Sequence, residues 1–127
     1  MSYCTADEVQ AAANTPGVTF LDVRTEAEVK ETSLAPNPFH NVSCLGGDCT
    51  ELLAKASTLM SDKNAPVIVF CRSGGRASYA KKALDDMGYE NVLNAGGLDD
   101  LLTYSYFDRL LIQYVKQQYI SYHEYYI

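Results

Sequence analysis

VIVFCRSGGRASYAKKAL, residues 67–84, contains successive signals for a strand, a loop and a helix. Four apolar residues run directly into Cys71, and a loop of polar, basic and glycine residues, 72–76, follows it. A helical run then begins at Ala77, with apolar residues spaced to form one packed face. The members of this face are Tyr79, Ala80, Ala83 and Leu84. The pattern predicts a buried strand that ends in a thiol, then a tight loop and a helix.

The loop after Cys71 has the composition of an anion-binding site. A buried parallel strand directs its last side chain into the crevice at the carboxyl edge of the sheet, where open α/β sheets bind ligands. Gly74 and Gly75 allow successive backbone N–H groups to point inward at a helix N-terminus. Arg72 and Arg76 add positive charge, and cations and oriented N–H groups stabilise a thiolate. We therefore expect Cys71 to be a nucleophile that acts on a small anion.

Three motifs, in order along the chain, resemble those of the rhodanese (sulfurtransferase) family. The first is FLDVRTEAE at 20–28, the second is the Cys71 loop, and the third runs from the Gly-Tyr pair at 88–89 to NAGGL at 94–98. The resemblance covers roughly residues 5–102, and NAGGL is most similar to the small single-domain bacterial members. It implies a rhodanese-like α/β fold, in which a parallel sheet of about four or five strands forms a three-layer sandwich with helices on both faces.

Strand and helix signals alternate over residues 1–103, as expected for βαβ crossovers and a parallel sheet. Thr5 and Thr25 each begin a helix-capping pattern, in which a glutamate follows three residues later. The predicted helices are 6–13, 26–30, one from Asp48 or Thr50 to Met60, and 77–87. The predicted strands are 18–23, 41–43, 67–70 and 92–93. We assign 1–103 to a single rhodanese-like domain.

The resemblance implies a reaction in two halves. Cys71 attacks the outer sulfur of a donor such as thiosulfate or a persulfide, and the Cys71 persulfide then passes its sulfur to a thiol or to cyanide. Loop amides hold the persulfide, while the two arginines attract the donor. The predicted substrate-binding residues are Arg72, Ser73, Gly74, Gly75, Arg76 and Ala77. Because the nucleophile enters already ionised, we expect no general base. We also expect no cofactor and no metal.

Two other functional classes remain as alternatives. The cysteine-based phosphatases and arsenate reductases resemble this chain but have Cys-x5-Arg loops, whereas Cys71 and Arg76 form Cys-x4-Arg. A loop one residue shorter suits a terminal sulfur better than a tetrahedral phosphate, so the spacing favours sulfur transfer. A non-catalytic persulfide carrier or interaction module would keep the fold without useful turnover.

Several other chemical groups have structural interpretations. Asp22 lies at the carboxyl end of a predicted strand, and Arg24 follows that strand. A buried carboxylate there is more often a partner for arginine or backbone amides than a catalyst, so we assign both residues to structural support. Cys44 and Cys49 flank a Leu-Gly-Gly-Asp turn and are either free thiols or, after oxidation, a disulfide. A metal site made from these cysteines and His40 would lack a fourth ligand and the usual close spacing.

The composition limits the classes of partner. A chain of 127 residues is long enough for one domain with a core. Its net charge of −6 argues against nucleic acid and anionic membranes, which require a basic surface. The sequence contains neither a secretory signal nor a long apolar stretch. We therefore expect a soluble protein of the cytoplasm, or of the periplasm if a signal peptide has been removed.

Residues 104–127 differ in composition from the rest, since they contain seven of the ten tyrosines. Their apolar residues keep helical spacing, which predicts a C-terminal helical extension. We expect it to pack on the domain or on a second copy of the chain, as in a homodimer. The alternative is a docking surface for another protein, because tyrosine-rich patches are common at interfaces.

Overall fold

The computed structural model describes residues 3–103 and shows a parallel sheet with helices on both faces. The strands are β1 Thr19–Asp22, β2 His40–Asn41, β3 Val67–Cys71 and β4 Val92–Gly97. The helices are α1 Ala6–Ala13, α2 Glu26–Glu31, α3 Thr50–Leu59, α4 Gly75–Asp86 and α5 Leu98–Leu102. The predicted α/β fold is confirmed. The predicted helical extension, 104–127, lies outside the described residues and stays a prediction.

The strand order β2-β1-β3-β4 places the functional loop at the centre of the sheet. All three strand pairings are parallel. From β1 the chain crosses outward to β2, whereas from β3 it crosses to β4 on the other side, so the order reverses between β1 and β3. Asp22 ends β1 and Cys71 ends β3, and both therefore lie at the edge where open α/β sheets bind ligands.

The central strand β3 is buried at all five positions, which explains its continuous apolar sequence. Its side chains alternate between two cores. Val67, Val69 and Cys71 belong to the core under α3 and α4, whereas Ile68 and Phe70 belong to the core under α1 and α5. Packing on both faces fixes the backbone of β3, and it thereby fixes the position at which the loop begins.

Both predicted capping patterns are present. The Thr5 hydroxyl accepts from the Glu8 amide at 3.2 Å, and the Glu8 carboxylate accepts from the Thr5 amide at 3.1 Å. Thr25 and Glu28 form the same reciprocal pair at the start of α2. Each box satisfies amides that have no partner within the helix. The second box also holds Glu28 beside the functional loop.

The helix after the loop differs from the prediction at its start and on its packed face. α4 begins at Gly75, two residues earlier than predicted, because Gly74 adopts the left-handed conformation with φ of 101° and acts as the N-cap. Tyr79, which we placed on the packed face, is 54% exposed. The buried residues of α4 are Ala77, Ala80 and Leu84, which follow an i, i+3, i+7 pattern that excludes position 79.

β4 extends to Gly97, four residues beyond the predicted strand, and α5 follows at once. The glycines at its end obscured its length in the sequence, since glycine weakens a strand signal. Five residues are also too few for α5 to show a helical period. Its first turn is capped instead by Asp100, whose carboxylate accepts from the Gly97 amide at 2.9 Å.

Candidate active site

Cys71 lies at the N-terminus of α4 with its sulfur enclosed by the loop. The residue is 1% exposed. Its Sγ accepts a hydrogen bond from the Gly74 amide at 2.9 Å. The positive φ of Gly74 turns the chain into the helix, a conformation that glycine adopts without strain. An N–H directed at sulfur and the positive end of a helix both favour the thiolate. The structure therefore places the predicted nucleophile where it can be activated.

The other predicted loop residues surround this hydrogen bond. Gly75, Arg76 and Ala77 form the first turn of α4, where amides have no acceptor within the helix. Ala77 contributes only its backbone to the loop, because its side chain is buried in the core under α3 and α4. Ser73 is exposed. The Gly74 amide is directed at the sulfur, whereas the binding of an anionic sulfur by the other amides of this turn stays a prediction.

The three arginines in the described part of the chain have different surroundings. Arg24 is buried and makes a bidentate bond to Asp22, with Nη2 to Oδ2 at 2.8 Å and Nε to Oδ1 at 3.0 Å. Arg76 makes a bidentate bond to Glu28, at 2.6 Å and 3.0 Å. Arg72 is exposed and has no carboxylate partner among residues 3–103. Arg72 is therefore the guanidinium of the three that is free to bind an anion from solution.

Arg76 forms an ion pair with Glu28 and also interacts electrostatically with Cys71. Its pKa is raised, first by the hydrogen bond to Glu28 and then by the negative charges of Glu28, Cys71 and Asp22. The same hydrogen bond is the main cause that lowers the pKa of Glu28 to about 2. Sequence reasoning missed this carboxylate as a site residue. Its signals were its place in the capping box of α2 and its position as the last residue of the FLDVRTEAE motif.

Asp22 and Arg24 form a buried ion pair next to the site. Asp22 is fully buried, and its carboxylate accepts from both the backbone and the side chain of Arg24. Arg24 Nη2, which donates to Asp22 Oδ2, also donates to the Thr32 carbonyl at 2.7 Å, just after α2. Asn41 donates to the carbonyls of both residues from β2. This arrangement connects β1, β2 and α2 and is that of the structural pair predicted from the sequence.

β4 supports the loop from the other side through Asn94, which the sequence analysis included in the NAGGL motif but not among the site residues. Its buried amide donates to the Gly74 carbonyl at 3.1 Å and to the Ser78 hydroxyl at 3.0 Å. Its Oδ1 accepts from the Gly96 amide at 2.9 Å. β4 has a bulge here: two residues separate Asn94 from Gly97, whereas one residue separates their partners Val69 and Cys71 on β3. Such bulges redirect side chains near functional sites.

A polar cavity of about 260 Å³ lies beside Arg72 at this edge of the sheet. It has both positive and negative side chains. The lining residues are Arg24, Glu28, Glu31, Thr32, Arg72, Leu98 and Asp99. The cavity gives a small charged molecule room next to the residue that follows Cys71.

The remaining cysteines are free thiols in the structure. Cys44 and Cys49 flank a turn closed by a bridge between Leu45 and Asp48, so the chain brings them together without a disulfide. Burial, followed by a hydrogen bond to Cys49, raises the pKa of Cys44 well above the usual thiol range. Cys44 is therefore a poor nucleophile. Within residues 3–103, no group of three or more potential metal ligands is found, and no helix is long and apolar enough to cross a membrane.

Comparison with known proteins identifies the family. The sequence model of the Rhodanese-like domain matches residues 5–102. The thiosulfate sulfurtransferase PspE of Escherichia coli strain K12 is 43% identical over 51 residues, which cover 40% of this chain and about half, 49%, of PspE. The rhodanese domain-containing protein CG4456 of Drosophila melanogaster is 31% identical over 94 residues, 70% of this chain and 85% of that protein. The chain belongs to the rhodanese-like domain family.

Solved structures agree with this fold. A rhodanese with anions from E. coli has a TM-score of 0.50 and 29% identity, and the match covers 65% of this chain and 89% of that one. An uncharacterized protein from Saccharomyces cerevisiae has a TM-score of 0.59 over 83% of this chain and 93% of its own. Its identity of 19% supports the fold alone.

The Arg76–Glu28 pair predicts a pH-dependent loss of stability. Because folding lowers the pKa of Glu28 from 4.5 to about 2, its contribution is present above pH 4.5 and is lost as the pH falls toward 2. We expect Glu28→Gln to lose about 1 kcal/mol of unfolding free energy at neutral pH, a value reduced for solvent screening, and to flatten the acid part of the profile.

Urea unfolding followed by circular dichroism measures this effect, since the chain has no tryptophan. Glu26→Gln is the matched control, because Glu26 lies on the same helix in an exposed pair with Lys30. Equal acid profiles for Glu28→Gln and the wild type would show that the pair does not stabilise the fold.

Proposed function

We propose that this chain is a sulfurtransferase that carries a sulfane sulfur from thiosulfate or a persulfide donor to a thiol or cyanide through a Cys71 persulfide. The observation that carries the proposal is the 2.9 Å hydrogen bond from the Gly74 amide to Cys71 Sγ at the start of α4. Membership of the rhodanese-like family and similarity to a thiosulfate sulfurtransferase support it.

The first half-reaction is a displacement at sulfur. The Cys71 thiolate attacks the outer sulfur of thiosulfate and forms a new S–S bond. The S–S bond of thiosulfate breaks, and its electron pair leaves with sulfite. The product is an anionic persulfide, which the amides of the first turn of α4 are placed to stabilise.

The second half-reaction restores the enzyme. Cyanide attacks the outer persulfide sulfur, the Cys71 S–S bond breaks, and thiocyanate leaves while the thiolate is regenerated. A thiol acceptor reacts in the same way and leaves as a persulfide. Neither half-reaction changes the net number of electrons, so the cycle requires no external oxidant or reductant.

The two loop arginines have separate roles in this proposal. Arg72, exposed and without a carboxylate partner among the described residues, attracts the donor dianion and the departing sulfite. Arg76 is held by Glu28 and contributes positive charge close to Cys71. Binding and activation therefore depend on different guanidinium groups.

We expect Arg72→Ala to lower kcat/KM for thiosulfate roughly 10-fold, mainly through KM, because an exposed charge-assisted bond is lost. Steady-state thiocyanate formation measures the effect. Lys82→Ala is the control, since Lys82 is an exposed cation on α4 paired with Asp86. Added salt should reproduce part of the loss by screening. An unchanged KM for thiosulfate would remove Arg72 from donor binding.

Turnover tests this proposal against its alternatives. The wild type should form thiocyanate from thiosulfate and cyanide over many cycles. A persulfide that forms once and is not turned over with either cyanide or a thiol would identify a carrier. Hydrolysis of an aryl phosphate at a rate equal to or above the thiosulfate rate, and dependent on Cys71, would replace sulfur transfer with phosphatase chemistry.

A further inference from the structure

Tyr3 forms a hydrogen bond with the Ser73–Gly74 peptide group, and the same peptide group forms a hydrogen bond with Cys71. Its hydroxyl donates to the Ser73 carbonyl at 2.8 Å. The Ser73 carbonyl and the Gly74 N–H belong to one peptide group, and the Gly74 N–H donates to Cys71 Sγ at 2.9 Å. Since these two groups point in opposite directions across a trans peptide, a continuous chain of hydrogen bonds runs from the Tyr3 hydroxyl to the Cys71 sulfur.

The backbone of the N-terminal segment is anchored for this contact. The Cys4 amide donates to the Asn94 carbonyl at 3.1 Å, which fixes the segment against β4. The ring of Tyr3 covers Gly74 so closely that a Cβ there would lie 2.4 Å from ring atom Cζ. The ring also lies near Gly96. Tyr3 is therefore packed on the loop, although 40% of it is exposed.

The contact acts on the orientation of one peptide group. The Ser73–Gly74 peptide precedes a glycine, which restricts the backbone little, so an external hydrogen bond helps to keep its N–H directed at the sulfur. Hydrogen bonds in series also polarise one another, so a donor to the carbonyl strengthens the N–H at the other end. Both effects favour the charged form of the sulfur over the neutral form.

We propose that Tyr3 is a positioning residue for Cys71, acting through the Ser73–Gly74 peptide to hold an N–H on the thiolate and on the persulfide that it forms. The persulfide part of this inference rests on the proposed function. The thiolate part does not, because it concerns the reactivity of Cys71 before any donor binds.

Tyr3→Phe tests the proposal, since it removes the hydroxyl and keeps the ring. Alkylation of Cys71 by iodoacetamide, followed by mass spectrometry of the Cys71 peptide, reports the thiolate alone. We expect the rate at neutral pH to fall about three- to tenfold and the rate–pH profile to move to higher pH. The charged groups around the loop come from several elements, and the variant leaves them unchanged. They are Asp22 and Arg24 at the end of β1, Glu28 and Glu31 on α2, Arg72 and Arg76 in and after the loop, and Asp99 and Asp100 on α5.

Two comparisons make the result decisive. Tyr79→Phe, at an exposed tyrosine of α4, should match the wild type, and melting curves should show that every variant is folded. Tyr3→Ala, which also removes the ring, should show at least the same change. An unchanged rate and profile for Tyr3→Phe would overturn the proposal, and a change in Tyr3→Ala alone would assign the effect to ring packing.

The same samples separate this inference from the proposed function. Under the proposal, the rate of persulfide formation from thiosulfate falls in Tyr3→Phe by about the same factor as alkylation. If the wild type forms no persulfide while alkylation still slows in Tyr3→Phe, the proposed function fails and the role of Tyr3 stands. If persulfide forms at equal rates and alkylation is unchanged, the function stands and the role of Tyr3 is wrong.

Discussion

Thiosulfate is expected to add one sulfur atom, about 32 Da, to the peptide that contains Cys71, and Cys71→Ser is expected to abolish both this adduct and turnover. The reason is geometric. All four cysteines lie in the described part of the chain, and two of them, Cys49 and Cys71, are at a helix N-terminus. The Cys49 side chain makes no capping hydrogen bond, whereas Cys71 Sγ accepts a backbone N–H. A serine hydroxyl in the same place stays protonated and cannot accept a sulfane sulfur. Intact-protein and peptide mass spectrometry measure the adduct.

The other three cysteines provide matched controls, and Ser variants at each should retain turnover within about twofold, as expected for groups outside the reaction. Cys4 Sγ donates to the Asn94 carbonyl, and burial followed by the charge of Glu8 raises its pKa. Cys44 is fully buried and its pKa is raised still further. If Cys44→Ser or Cys49→Ser were as inactive as Cys71→Ser, the mechanism would need a second, resolving thiol.

Gly97→Ala is expected to disrupt both the fold and the site. A Cβ at this position would lie 2.2 Å from the Arg72 carbonyl oxygen and 2.9 Å from its carbon, and backbone atoms cannot move aside as a flexible side chain can. We expect a loss of about 1–3 kcal/mol of unfolding free energy from overpacking. Because the displaced carbonyl directly follows Cys71, persulfide formation by the folded protein should also fall, on the order of 100-fold.

Gly47→Ala is the control for this substitution, since its Cβ would make only ordinary contact with the Tyr79 ring at 3.6 Å. It should keep the stability and the activity of the wild type. Urea unfolding gives the stability, and persulfide formation well below the melting temperature gives the effect on the site. A Gly97→Ala protein with normal stability and normal activity would show that the loop tolerates displacement at Arg72.

The central part of the fold could be predicted because its signals are local. The apolar run of β3, the cysteine that ends it and the glycines after it are adjacent in sequence, and each has a direct structural meaning. The capping boxes at Thr5 and Thr25 are likewise complete within four residues. Local signals of this kind gave the strand, the loop and the identity of the candidate nucleophile.

The supporting residues could not be predicted, because their partners are distant in sequence. Arg76 and Glu28 are 48 residues apart, and Tyr3 and Ser73 are 70 residues apart. No periodicity or spacing rule indicates such a pair before the strands are placed side by side. For Tyr79 the sequence predicted a contact that is absent from the described residues: we placed its aromatic side chain on the packed face of the helix, but it is exposed to solvent.

The contact between Gly97 and the Arg72 carbonyl also has a consequence for biosynthesis. Among the strands of the described residues, 3–103, β4 is the last to leave the ribosome, yet it supplies both this contact and the Asn94 bond to the Gly74 carbonyl. A nascent chain that has exposed Cys71 but not β4 carries the thiol without the surroundings that make it reactive. We therefore expect a fragment that ends before residue 92 to lack these contacts around Cys71.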